Sequence, residues 1–228
     1  MAVAQRGDIT VVDLGDDENR MSPHVLAEFH RVLEGLEAGT GPRALVTVGG
    51  GKIWSNGLDL DYLDDHPSQF FPYLASVHVL LARVIELGCP TVAAVTGHAF
   101  GAGALLSLCH DVTVMRADRG FWCLPEVDLV MDLTAGEHAL VAAKLSPATA
   151  NLAVTTGHRF PAEQALAAGI VHEVCPPDRV VDRALEIAAQ RAPKAVGSLA
   201  GLKRGMYGHV ADALRRDAAD GLDEASDL

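Results

Sequence analysis

Hydrophobic residues in this chain alternate between short runs typical of strands and longer stripes typical of helices. Residues 9–14 (ITVVDL) and 44–48 (ALVTV) are rich in β-branched side chains, which favours buried strands. Between them, apolar residues recur every three or four positions through Gly35, which predicts an amphipathic helix. Ser22 and Pro23 are suited to begin that helix as N-cap and first helical residue. The strand, helix, strand order indicates an α/β core.

The same patterns continue through the middle of the chain. They predict a helix over residues 69–87, strands over 91–95, 112–115 and 170–174, and an amphipathic helix over 178–192. Residues after 134 are mostly helical in pattern, and those from Pro193 onward predict two more helices. No repeat or long linker separates domains, so we expect a core over residues 1–190 and a C-terminal helical region over 191–228 within one structural unit.

The longest apolar stretch covers residues 90–111, PTVAAVTGHAFGAGALLSLCHD. Its length would suffice for a membrane span, which needs about 20 apolar residues. However, His98 lies inside it and three glycines interrupt it, so we expect no membrane span here. A buried strand, a glycine-rich turn and a helix beginning near Ala102 fit better. The free backbone N–H groups at such a helix start can face an anion.

Charge and cysteine content limit the binding partners and the cellular compartment that we expect. The chain has 228 residues and a formal net charge of −12, which argues against nucleic acid as a partner because such binding needs basic patches. Its four cysteines are scattered without a C-x-x-C pair, which favours a reducing compartment. Since no secretory signal pattern is present at the N-terminus, we expect a cytoplasmic protein.

Several common site motifs are incomplete in this sequence. Gly101-x-Gly103 resembles the start of a dinucleotide fingerprint, but Leu106 occupies the third glycine position. Lys52 is followed by isoleucine rather than the Ser or Thr of a phosphate-binding P-loop. Ser55 lacks the first glycine of a hydrolase elbow. The histidines show no paired metal-ligand spacing, so we expect neither a metal nor a separate cofactor.

Two small-residue turns, at residues 55–57 and 101–103, each follow a hydrophobic strand. Backbone N–H groups from two such turns can converge on one oxygen and form an oxyanion hole. Small residues favour this because the backbone must approach the ligand closely. The alternative is that both are tight turns that pack a helix against a sheet. The residues alone favour this second interpretation.

Four segments occur in a recognisable order: KIWSNGLDL, the 90–111 stretch, RGFWCLPEVDL and ALAAGIVHEV. Together they resemble the crotonase (enoyl-CoA hydratase/isomerase) superfamily over roughly residues 8–206. The resemblance implies an α/β fold built as a spiral of ββα units with a helical C-terminal trimerisation region. It also implies a homotrimer or a dimer of trimers, and an acyl-CoA thioester as the ligand, with coenzyme A as part of the substrate.

The resemblance also assigns roles to individual positions. The peptide N–H groups of Asn56 and Ala102 would hold the thioester oxygen, and Glu126 would be the catalytic acid/base. The CoA moiety would lie along the first turn, in contact with Ser55, Gly57, Leu58 and Asp59.

One position departs from the hydratase pattern. Hydratases of this family use two glutamates, and the corresponding residues here are Leu105 and Glu126. Moving a double bond from position 3 to position 2 needs only one base, so the resemblance favours the Δ3,Δ2-enoyl-CoA isomerase branch. The neighbours Leu124, Pro125 and Val127 predict a desolvated carboxyl whose pKa is raised to about 6–7. A hydratase and a catalytically silent acyl-CoA-binding subunit are the alternatives.

Other polar residues have weaker assignments. A second acid would have to come from Asp59, Asp61, Asp128 or Glu137, although Glu137 first fits a capping box with Thr134. We interpret His98 and His110 as structural. Lys203 and Arg204 are candidates for contact with a CoA phosphate, with solvent exposure as the default.

Overall fold

A computed structural model describes the backbone of residues 1–226 and the side chains of residues 1–221. Residues 227 and 228, the end of the predicted C-terminal region, lie outside the described part. The strands are β1 (Ala2–Arg6), β2 (Ile9–Asp13), β3 (Ala44–Val48), β4 (Ile53–Ser55), β5 (Thr91–Val95), β6 (His98–Phe100), β7 (Val112–Arg116), β8 (Trp122–Cys123) and β9 (Glu173–Cys175).

The helices follow the strands in alternation at first and then dominate. They are α1 (Pro23–Ala38), α2 (Leu60–Asp65), α3 (Phe70–Ile85), α4 (Ala102–Cys109), α5 (Glu126–Leu129), α6 (Ala135–Lys144), α7 (Pro147–Thr156), α8 (Ala162–Ala167), α9 (Val180–Arg191) and α10 (Ser198–Ser226). Ser22 caps α1 as predicted, since its side chain accepts a hydrogen bond from the Val25 N–H.

Two sheets run through the molecule. The larger sheet has the strand order β1-β2-β3-β5-β7-β9, with β1 antiparallel to β2 and every later pair parallel. The smaller sheet has the parallel order β4-β6-β8. Three successive turns of the chain, β3–β4, β5–β6 and β7–β8, each add one strand to the large sheet and one to the small sheet before the chain continues into helix. This is the spiral of ββα units that the sequence resemblance implied.

Most predicted strands and helices are confirmed, and the differences have simple causes. The sequence patterns missed β1, whose five residues are all exposed, and the short strands β4, β6 and β8, of three residues or fewer. The strand predicted over 170–174 lies further along the chain as β9 and overlaps the predicted range only at residues 173 and 174. The two helices predicted after Pro193 are instead a short 3-10 turn, Ala192–Lys194, and one long helix, α10. The glycines in α10 weaken a helical pattern locally, whereas packing against α3 and α6 supports one continuous helix.

Lys203 anchors α10 to the core and is not available to a ligand. Its side chain is 5% exposed, and its ammonium group lies 2.7 Å from the Asp111 carboxylate. The same group donates a hydrogen bond to the Cys89 carbonyl at 2.9 Å. The predicted contact between Lys203 and a CoA phosphate is therefore wrong, because the charge is buried and already paired.

Helix α3 has the length and hydropathy of a membrane span when the preceding turn is included. Over Pro67–Ile85, half of the most apolar window is buried inside the fold. The buried side of α3 packs against α1, α4 and α10. Its apolar character is therefore accounted for by its place in the core.

Two glycines allow the turn after β4 to contact the start of α4. A Cβ atom on Gly103 would lie 2.6 Å from the Ser55 carbonyl oxygen, and one on Gly57 would lie 3.0 Å from the Ala102 nitrogen. Gly57 also has a φ of +81°, which favours glycine. Larger residues would force the two turns apart.

We expect Gly103→Ala to destabilise the protein by about 1–3 kcal/mol, because the added methyl group overpacks a backbone contact. Gly35→Ala is the matched control: Gly35 lies within α1, and a Cβ atom there meets nothing within 4 Å. That change should stabilise by about 0.4–1 kcal/mol. Urea unfolding of both variants measures the difference, and equal stabilities would contradict the close contact.

Candidate active site

A cavity of about 610 Å³ lies where the two turns meet α5 and α6. Leu58 and Ala102 line it from the two turns, and Glu126 and Glu137 line it from the two helices. The remaining wall is largely apolar and includes Leu60, Phe70, Leu74, Phe100, Leu129, Met131 and Leu133. An apolar cavity with a few polar groups is typical of a small-molecule site.

A larger cleft, of about 900 Å³, lies elsewhere, between the end of α1 and the α3–α10 contact. Its charged side chains are occupied: Arg83 pairs with Glu37, and Arg215 pairs with Glu86. Arg43 donates to backbone carbonyls, including that of Leu36. Because its charges pair with one another, we place the chemistry in the smaller cavity.

The first turn supplies a free N–H group, but from a different residue than predicted. The Asn56 N–H donates a hydrogen bond to the Glu18 carbonyl at 3.0 Å, so its prediction as an oxyanion donor is wrong. The Gly57 N–H donates to the Ser55 hydroxyl and the Asp59 N–H to the Tyr73 hydroxyl. Within residues 1–226 the Leu58 N–H has no acceptor. Leu58 is therefore the donor that this turn offers to the cavity.

The second turn supplies its N–H group from the predicted residue. Ala102 is the first residue of α4, directly after Gly101, whose φ is +51°. An N–H group in the first turn of a helix has no acceptor within the helix. The partial positive charge of the helix start also favours an anion at this point. Ala102 lines the cavity, so this donor faces the same space as Leu58.

Glu126 places a carboxyl group beside these donors. Its Oε1 atom lies 3.4 Å from the position that a Cβ atom on Gly101 would occupy. Its Oε2 atom is buried and has no hydrogen-bond partner in the described part of the chain. The pKa of Glu126 is raised to about 7, mainly by burial; its own backbone N–H opposes the rise, and the charge of Glu137 makes a smaller contribution that adds to it. The carboxyl is therefore suited to exchange protons near neutral pH.

The raised pKa of Glu126 predicts a pH-dependent stability. Folding favours the protonated carboxyl, so this favourable contribution is complete below the unfolded pKa and is lost as pH rises through about 7. We expect Glu126→Gln to gain stability over the wild type by about 1–3 kcal/mol between about pH 5 and about pH 8.5. Urea unfolding at both pH values measures this gain, and Asp128→Asn is the control, since Asp128 is exposed on the same helix. An identical gain in the control would contradict the burial of Glu126.

Leu105 leaves no carboxyl on α4. It is 1% exposed and belongs to the hydrophobic core below the turn. Of the predicted alternatives for a second acid, Glu137 and Asp61 line the cavity, whereas Asp128 is exposed and does not line it. Glu137 forms the predicted capping box with Thr134 at the start of α6.

The mouth of the cavity carries an ion-pair cluster that the sequence patterns did not indicate. Arg20 pairs with Glu18, Asp59 and Asp61, and these hydrogen bonds raise its pKa. No local motif marks Arg20, because its partners Asp59 and Asp61 come from a distant segment. Asp59 thus has two roles, since it also caps α2 through the Tyr62 N–H.

The contacts of three further residues decide the roles that the sequence predicted for them. Ser55 is fully buried and its hydroxyl donates to the Asn19 carbonyl, so the prediction that it contacts CoA is wrong. Both ring nitrogens of His110 are bonded inside the core and burial lowers its pKa to about 4, which confirms a structural role. Arg204 pairs with Glu86 rather than standing free.

A metal ion would need several histidine, cysteine or carboxylate side chains grouped around one point. Within the described residues, no three such side chains are grouped in a way that could hold an ion. His98, the other histidine that we interpreted as structural, accepts a hydrogen bond from the Phe121 N–H through Nδ1.

The sequence profile of the enoyl-CoA hydratase/isomerase family matches residues 5–222. The chain therefore belongs to that family. It is 34% identical over 160 residues to the peroxisomal enoyl-CoA delta isomerase 1 of Arabidopsis thaliana, covering 69% of this chain and 67% of the relative. It is 33% identical to a putative enoyl-CoA hydratase of Thermus thermophilus, covering 87% of this chain and 80% of that protein.

A solved structure has the same fold. The crystal structure of a probable enoyl-CoA hydratase from Mycobacterium tuberculosis superposes with a TM-score of 0.88 at 26% identity. The match covers 100% of this chain and 96% of the other chain. This agreement confirms the crotonase-type architecture that the ordered segments implied.

Proposed function

We propose that this protein is an enoyl-CoA isomerase that shifts a double bond of an acyl thioester from position 3 to position 2. The observation that carries the proposal is one buried, unpartnered carboxyl oxygen, on Glu126, beside two free N–H groups. The plant relative named as an enoyl-CoA delta isomerase supports the same reaction class. CoA would enter as part of the substrate, so the reaction needs no further organic cofactor.

In this mechanism the thioester oxygen accepts hydrogen bonds from the N–H groups of Leu58 and Ala102. Glu126 removes a proton from C2, and the electron pair delocalises onto the thioester oxygen as an enolate conjugated with the double bond. The protonated Glu126 then returns the proton to C4 as the carbonyl re-forms. One proton leaves and one returns, so a single carboxyl completes the cycle.

The backbone donors explain how a weak carbon acid can be deprotonated. A single oxyanion donor contributes roughly 2.7–4 kcal/mol to transition-state stabilisation in enzymes where one has been removed. The donors are fixed by the fold, so they need no reorganisation as charge develops on the oxygen. The raised pKa of Glu126 brings its basicity closer to what this proton transfer requires.

Hydration of a 2-enoyl-CoA is the second candidate, and the Thermus thermophilus relative carries a hydratase name. Adding water across a double bond is best served by two groups that hold and activate the water. The apolar Leu105 removes the second group from α4. We therefore place isomerisation first. A catalytically silent acyl-CoA-binding subunit is the third candidate. A protein that only binds acyl-CoA would not need an unpartnered carboxyl group in the cavity.

We further propose that the chain assembles as a homotrimer, or as a dimer of trimers, through its C-terminal region. Val196, Leu202 and Met206 are each more than half exposed there, and contacts between subunits would cover such side chains. A cytoplasmic location fits the four cysteines, which are all free and buried.

Two substrates distinguish these candidates. We expect the protein to convert a 3-enoyl-CoA to the conjugated 2-enoyl-CoA and to leave a 2-enoyl-CoA unhydrated, as followed by ultraviolet absorbance and mass spectrometry. Glu126→Gln should lose isomerase activity by at least about 100-fold while still binding substrate, because it lacks the base. Hydration of the 2-enoyl-CoA by the wild type would contradict the isomerase assignment. Binding of both substrates without turnover of either would also contradict it and would support the silent acyl-CoA-binding subunit.

Backbone ester substitution tests which N–H groups hold the oxyanion. Replacing a residue by its α-hydroxy analogue exchanges the N–H for an ester oxygen and keeps the side chain. We expect the ester at Leu58 or at Ala102 to lower kcat by about 100- to 1,000-fold. The matched control is the ester at Asn56, which should lower stability through the lost bond to Glu18 but spare kcat. A loss of kcat at Asn56 alone would restore the original prediction for that residue.

A further inference from the structure

Two carboxylates on different helices face the same cavity, Glu126 on α5 and Glu137 on α6. The proposed reaction uses only the first. We propose that Glu137 is a positioning residue whose fixed negative charge makes Glu126 a stronger base toward the C2 proton of the substrate. The proposal deepens the isomerase assignment and rests on it, since it assigns a role to a second side chain of the same site.

The fold holds the Glu137 carboxylate in place. Glu137 is 7% exposed, and its Oε2 atom accepts a hydrogen bond from the Thr134 N–H at 2.8 Å. The Thr134 hydroxyl accepts the Glu137 N–H in return. Gly136, between them, donates its N–H to Asp217 of α10 at 2.6 Å. A carboxylate tied at the start of one helix and braced by another has little freedom to turn away from the cavity.

The side chain directly behind Glu137 is a histidine rather than a lysine or an arginine. His78, on α3, is 2% exposed, and its Nε2 atom lies 3.5 Å from the Glu137 Oε1 atom. That distance is too long for a strong hydrogen bond. Within residues 1–221, no lysine or arginine forms an ion pair with Glu137. No cationic side chain in the described part of the chain therefore pairs with this carboxylate, which lines the same cavity as Glu126.

Other charged groups near Glu126 are less effective. Arg20 and Asp61, at the rim, pair with each other. Asp132 on the cavity wall and Asp128 on α5 are exposed, so water screens them. Glu137 is the charged neighbour that raises the pKa of Glu126 in addition to burial. A nearby negative charge disfavours a second one, and the proton is therefore held more tightly.

Glu137→Gln isolates the charge from the structural role. Glutamine fills the same volume and can replace glutamate in a capping box, so the start of α6 should be preserved. We expect the acid limb of the pH profile of kcat/KM to move about 0.5–1 unit lower than in the wild type. The plateau value of kcat should fall several-fold, because the base is weaker, and KM should change little.

Glu137→Asp is the rescue variant. It keeps the charge but shortens the side chain, so the acid limb should stay within about 0.3 unit of the wild type even if the melting temperature falls. A purely structural role predicts the opposite pattern, with glutamine tolerated and aspartate impaired. Asp128→Asn, which removes an exposed charge on the helix of Glu126, should leave the limb unchanged.

Carbon-13 NMR of the glutamate side-chain carboxyl groups separates this inference from the assignment of function. The Glu126 resonance is identified by its absence from the Glu126→Gln spectrum, and its titration needs no turnover. We expect its midpoint to be lower in Glu137→Gln than in the wild type. Equal midpoints would overturn the inference while leaving the isomerase assignment intact. Absent isomerase turnover would overturn the function, whatever the titration gives.

Discussion

The contact between the turn after β4 and the start of α4 is the constraint on which the site depends. Backbone meets backbone there, and Gly57 and Gly103 make the approach possible because neither carries a Cβ atom. This contact brings the Leu58 and Ala102 N–H groups to one cavity. The smaller sheet fixes its geometry, since β4 and β6 are paired directly before the two turns. The oxyanion site that we propose is made of main chain, and its position would thus follow from the spiral itself.

The chemistry of the cavity follows from what surrounds one carboxyl group. Pro125 and the buried β8 precede Glu126, and the apolar cavity wall leaves one of its oxygens without a partner. Burial and the neighbouring Glu137 raise the pKa to about 7, so the group can take up and release a proton without a metal or a nucleophile. Leu105 is buried in the core and supplies no second carboxyl. This asymmetry favours a shift of a double bond over the addition of water.

Sequence patterns predicted the parts of the site that depend on local properties. Strand β5, the helix that begins at Ala102 and the desolvated surroundings of Glu126 all follow from the residue types in short segments. The sequence could not show that Leu58, rather than Asn56, has the free N–H group of the first turn. The Glu18 carbonyl that accepts the Asn56 N–H comes from a distant loop. For the same reason, no local signal revealed the burial of Lys203 against Asp111 or the ion pairs of Arg20. The hydrogen bonds and ion pairs of single residues depend on tertiary contacts, which short sequence patterns do not show. The order of strands and helices can be predicted because it depends on the periodicity of apolar residues.

The central claim is that Glu126 removes a proton from C2 while the two backbone N–H groups stabilise the enolate. Proton exchange with a saturated acyl-CoA in D2O tests this step alone, because that substrate has no double bond to move. NMR and mass spectrometry would follow deuterium at C2 of the bound ligand. The account predicts that the wild type exchanges a C2 proton and that Glu126→Gln exchanges none above the uncatalysed rate. Equal exchange by the two proteins, or none by the wild type, would contradict it.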